Sequence, residues 1–79
     1  MVVMTATFRD GSQYNYEFAH KCDEYRQMVD TLQENDEVAD LELEVTAALT
    51  QNYWSTHLPG KRRFSSRNEF ARFAKSLSF

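Results

Sequence analysis

The chain has 79 residues, 42% of them hydrophobic and 14% aromatic, with a formal net charge of −3, one cysteine, two glycines and one proline. That length fits a single domain over residues 1–79, and the composition argues against a low-complexity or disordered chain. A lone Cys22 excludes an internal disulfide framework, and the absence of a long apolar run or a cationic-then-apolar leader predicts a cytoplasmic protein with no membrane span.

In chain order, Val2, Met4, Ala6 and Phe8 alternate in the β-period. Arg9-Asp10-Gly11-Ser12 follows, and its Asp-Gly pair signals a hairpin. The return strand is predicted from about Tyr14 to Phe18, with Tyr14, Tyr16 and Phe18 on one face. From His20 to about Glu34 the period becomes helical, because Cys22, Tyr25, Met28, Val29 and Leu32 fall on one stripe. Asn35-Asp36 reads as a turn. Leu41, Leu43 and Val45 alternate with Glu42 and Glu44 as a third strand with one wet face. The pattern blurs from Thr46 to His57, where Leu49, Tyr53 and Trp54 either continue that strand or begin another. Leu58-Pro59-Gly60-Lys61 is a turn, followed by a short strand over Arg62 to Phe64. Ser66 with Glu69 three residues on forms a capping-box signature, and Phe70, Phe73, Ala74 and Leu77 give the helix behind it an apolar stripe.

The expected fold is therefore α+β: a small antiparallel sheet of three to four strands with two helices on one face, in the order β-β-α-β-(β)-α. A crossover through the first helix can set the third strand beside the first, antiparallel to it. The expected core comprises Phe8, Tyr16, Phe18, Tyr25, Met28, Leu32, Leu41, Leu43, Phe70, Phe73 and Leu77. A two-fold homodimer is the expected assembly, since strand edges are open to pairing and this symmetry is the commonest.

Charge is sorted along the chain. Between Asp23 and Glu44 there are nine acids and one base, Arg26; between Lys61 and Lys75 there are six bases and one acid, Glu69. Asp23, Gln27, Asp30 and Glu34, with Glu37 beyond them, fall on the helix face opposite the apolar stripe. Asp30 and Glu34 are like charges at i, i+4, a spacing that disfavours the helix. One reading is a solvated face that pairs internally with the basic segment. The other is a binding surface, Asp23, Asp30, Glu34 and Glu37, on which carboxylates stand in for phosphates towards a basic partner. The basic segment has three readings. Tyr53, Trp54, Lys61, Arg62 and Arg63 combine stacking and phosphate-binding groups suited to nucleic acid; they also resemble a protein-interface hot spot, which Trp, Tyr and Arg dominate; or Trp54 is core and the cations are solvated. The acidic balance makes direct nucleic-acid binding the weaker of the functional choices.

Catalytic signatures are lacking. His20 and Cys22 have no second His-Cys pair to complete a metal site, and Cys22 falls on the core stripe, where it acts as a small hydrophobe rather than a nucleophile. With two glycines in the chain, a backbone cradle for phosphate is not expected. The reading is a non-enzymatic chain with no cofactor and no metal.

The length, the hairpin opening with Phe8-Arg9-Asp10-Gly11, the acidic middle and the capped C-terminal helix together resemble small phage-encoded proteins that inhibit host machinery, the anti-CRISPR proteins among them. The resemblance covers the chain in outline and carries over no individual residue. It implies stoichiometric binding to a protein that handles nucleic acid, in the host cytoplasm. The expected function is a protein-binding inhibitor presenting an acidic face; the alternative is a nucleic-acid accessory protein using Tyr53 to Arg63.

Overall fold

In the first strand, Val2, Met4 and Ala6 are fully buried while Val3, Thr5 and Thr7 between them are not, which is the period-two alternation expected of a strand with one covered face. The computed structural model describes residues 1–46, 49–52, 55–57 and 59–79, and the side chains of residues 47–58 lie outside that description. The elements are β1 (Val2–Phe8), β2 (Gln13–Phe18), α1 (Asp23–Glu34), β3 (Val38–Val45), β4 (Leu49–Asn52), β5 (Ser55–His57), β6 (Gly60–Phe64) and α2 (Arg67–Ser76). Four strands form one antiparallel sheet in the order β2-β1-β3-β6, and β4 and β5 pair as a separate two-stranded ribbon. The α+β class, the two helices and the placing of β3 against β1 all agree with the sequence reading.

Both helices pack on the face that carries Val2, Met4, Ala6, Leu41, Leu43, Val45 and Phe64. α1 sits towards β2, where the Tyr25 ring meets Phe18 edge-on at 5.3 Å. α2 sits towards β6, where Phe70 meets Phe64 at 5.9 Å. The helices run antiparallel: Gln33 near the end of α1 bonds Asn68 at the start of α2, while Tyr25 in the first turn of α1 bonds the Ala74 carbonyl near the end of α2. Every residue of the expected core is either buried or packed against the buried cluster. No helix among the described residues is long and apolar enough to cross a membrane.

The local signals act as their chemistry dictates. Gly11 supplies the positive φ of 90° that closes the first hairpin, with Asp10 Oδ1 accepting from the Ser12 amide at 2.9 Å. Ser66 Oγ accepts from the Glu69 amide at 3.3 Å and caps α2.

Boundaries move for identifiable reasons. α1 begins at Asp23, not His20, so Cys22 is its N-cap residue and lies half-buried against the core. The helix ends at Glu34, and Asn35 Oδ1 then accepts from the Glu37 amide, so Glu37 stands in the following turn and not on the helix face. β3 starts at Val38, three residues before its expected start, because the register with β1 shifts between Thr7 and Phe8. That bulge lets Val38 and Leu41 both face inward and breaks the period-two pattern. β6 starts at Gly60, paired with Val45. Leu49 opens β4 in the ribbon, not a continuation of β3; Tyr53, Trp54 and Leu58 lie outside the described residues.

Two stability measurements follow. Ser66→Ala should cost about 1 kcal/mol in denaturant unfolding. Burial pushes the Tyr25 phenol up, so the unfolded chain gives up that proton above about pH 10 while the folded chain keeps it. Stability should therefore decline as pH rises past that value. Tyr25→Phe should cost about 1 kcal/mol at neutral pH and show a shallower alkaline decline than the parent; an identical decline would show that the phenol is not its source.

Candidate binding surface

The amphipathic spacing of α1 buries Tyr25, Val29 and Leu32 and leaves Asp23, Gln27, Asp30 and Glu34 exposed in a row on the opposite side. Of the acids proposed for binding, two are engaged locally. Asp23 pairs with Arg26 at 3.3 Å within the first turn, and Asp30 pairs with Lys75 at 2.9 Å across the helix interface. Glu34 and Glu37 have no ion-pair partner within 4.0 Å among the described residues. Both lie at the same end of the molecule, with Asp36 between them in sequence.

That end is electrostatically crowded. The last turn of α1 holds no base, so Glu34 adds negative charge to the negative pole of the helix dipole. Arg67 bonds Asp36 at 3.1 Å, and the start of α2 lies nearby through Gln33 and Asn68. These offset part of the excess and leave Glu34 and Glu37 as a surplus.

Three of the four ion pairs among the described residues, Asp30–Lys75, Asp36–Arg67 and Asp40–Arg63, join the acidic middle of the chain to its basic C-terminal segment. The internal-balance reading of the charge therefore accounts for much of it. Each of these pairs has at least one member that is more than half-exposed, and Asp36 retains 85% of its side-chain exposure, so each contributes little to stability.

The second polar surface is the sheet face without helices. Asp40, Glu42 and Glu44 descend β3 there, level with Thr7, Thr5 and Val3 of β1. On the other side of β3, Glu42 stands opposite Arg63 and Glu44 opposite Lys61. Arg63 reaches Asp40 at 2.7 Å, and that hydrogen bond, with the Asp40 charge, raises the already high proton affinity of the guanidinium. Signs alternate across this face, so it is less one-sided than the end of α1. A shallow depression of about 200 Å³ lies between Thr5, Thr7, Gln13, Asp40 and Arg63.

Of the basic candidates, the three described ones, Lys61, Arg62 and Arg63, divide between the two faces of the sheet. Strand alternation sends Lys61 and Arg63 to the uncovered face and Arg62 to the helical face, where its guanidinium lies 4.3 Å from the Phe73 ring centroid. Tyr53 and Trp54 fall outside the described residues. Sequence reasoning missed the Arg62–Phe73 stack, because the sequence separation of its members gives no local signal. Among the described residues no group of three His, Cys, Asp or Glu side chains is placed to hold a metal ion.

No family model matches the chain, and neither does any curated protein or solved structure.

Internal pairing can be measured by charge swapping. Lys75→Glu should lower stability by up to about 1 kcal/mol, and adding Asp30→Lys should recover part of the loss. A double variant as unstable as the two single changes summed would show that the pair contributes nothing.

Proposed function

We propose that the chain is a non-catalytic binding module that docks its acidic corner, Glu34 and Glu37 with Asp30 and Asp23 along α1, onto a basic surface of a partner protein. The observation that carries this reading is the surplus at the end of α1. Two carboxylates without an ion-pair partner among the described residues sit at the negative pole of a helix whose last turn holds no base. Folding does not favour that arrangement, whereas a basic partner would neutralise it. Departures from local consistency are expected where a surface serves binding. A surface that carries positive charge for nucleic acid is the natural complement, so the partner is a nucleic-acid-handling protein and the mode of action is stoichiometric occlusion. This is also the mode that the resemblance to anti-CRISPR proteins implies. Electrostatic docking of this kind chiefly accelerates association and weakens as salt rises.

The test is affinity capture from the native host with the parent chain and with Glu34→Lys/Glu37→Lys, followed by mass spectrometry. The reading expects a basic, nucleic-acid-handling protein captured by the parent at low salt and lost in the variant. The variant should fold with stability unchanged or raised by a few tenths of a kcal/mol, since a cation at a helix C-terminus is favourable. Equal capture by both proteins, or capture of acidic proteins alone, would refute the proposal.

A further inference from the structure

The sheet has two outer strands, β2 and β6. Among the described residues β6 pairs only with β3, so the peptide groups on its outer side are open to a further strand. β6 carries three consecutive cations, Lys61, Arg62 and Arg63, and such charges commonly guard an edge against self-association. A guard needs only to be solvated. Arg62 is instead laid across two rings, 4.3 Å from Phe73 and 5.6 Å from Phe64. Stacking fixes the plane of the guanidinium and leaves its edge N–H groups as donors.

Beside that stack, between β6 and α2, lies an open cleft of about 380 Å³ lined by Arg62, Phe64, Glu69, Arg72, Phe73 and Ser76. Neither Arg62 nor Arg72 has an ion-pair partner among the described residues, and Glu69 is the one acid in the lining. An apolar floor, two unpaired arginines and an open strand edge thus meet at one place.

We propose that β6 is the docking edge for an extended, acid-bearing protein segment, which adds as a fifth strand and sets a carboxylate between Arg62 and Arg72. Main-chain hydrogen bonds to β6 supply affinity, and alternate side chains supply specificity. Arg62 and Phe64 are two residues apart on the helical side of β6, so the segment carries an acid opposite Arg62 and an apolar side chain two residues away, over Phe64 and Phe73. Its intervening side chains fall beside Lys61 and Arg63 on the uncovered face. This surface is of opposite charge to the acidic corner and does not depend on that corner's role.

The probe is the peptide acetyl-Thr-Leu-Thr-Glu-Thr-Leu-Thr-amide, which presents the same acid and apolar spacing in either strand direction. It is titrated into isotope-labelled protein and read by the backbone amide resonances of residues 60–64. Saturable shifts there are expected, with affinity falling about tenfold or more in Arg72→Glu, the size of one charge-assisted contact. Arg62→Glu should give the same loss; if that variant fails to fold, Arg72→Glu on the exposed side of α2 carries the test. A peptide with Lys in place of Glu, and one whose backbone amides are all methylated, should each bind much more weakly. Glu34→Lys/Glu37→Lys should bind the peptide as the parent does. The proposal fails if the β6 resonances do not move, if shifts map to β2 instead, if the methylated peptide binds equally well, or if Arg72→Glu changes nothing.

Discussion

The packing of Tyr25 is the contact on which the arrangement of layers depends. Its ring stands edge-on to Phe18 of β2 and, at 4.9 Å, to Phe79 beyond α2, while its hydroxyl donates to the Ala74 carbonyl at 2.5 Å. One fully buried side chain thereby joins sheet, both helices and the segment after α2. A buried hydroxyl must find an acceptor, and the carbonyls near the end of α2 are among those a helix leaves unpaired. The requirement of each group is met by the other. This fixes where α2 lies along α1, and so determines that Lys75 comes within reach of Asp30 and Arg67 within reach of Asp36.

Charge then acts in two registers on the same scaffold. Pairs that bridge the helices and the β3–β6 edge tie the acidic middle of the chain to its basic end without contributing much energy. Among the described residues, Glu34 and Glu37 remain unpaired at the end of α1, and Arg62 and Arg72 remain unpaired beside α2 and β6. A small net charge conceals this polarity.

Much of the fold is legible in the sequence, because each element is announced by local chemistry. Asp10-Gly11 marks the hairpin, the Tyr25–Val29–Leu32 stripe marks α1, and Ser66 with Glu69 marks the start of α2. The misread portions are those where the deciding interaction is not local. Val38 falls outside the expected third strand because a bulge in its pairing with β1 is invisible along the chain. Residues 46–63 are ambiguous because their pairing depends on Val45 meeting Gly60, fifteen positions later. The exposed face of α1 follows from periodicity alone. Which of its acids are neutralised does not, since Asp30 and Lys75 are brought together only by the helix packing. The Arg62 cleft is hidden for the same reason: its aromatic floor comes from two different elements.

The bonds around Phe79 bear on how the chain assembles as it is made. The Lys21 amide donates to the Phe79 carbonyl at 3.3 Å and its side-chain amine to the Lys75 carbonyl at 2.6 Å, and the Phe79 ring covers one side of Tyr25. β1, one of the two inner strands of the sheet, precedes both of its partners in the chain, so that it is available to β2 and then β3 as each emerges. Tyr25 nevertheless keeps an uncovered ring and an unpaired hydroxyl until the ribosome has released residues 74–79. Without those residues the apolar side of α1 around Tyr25 has no cover from α2 or Phe79. The final turn of α2 and the residues after it thus close the core over Tyr25, a residue of the first helix, from more than forty positions further along the chain.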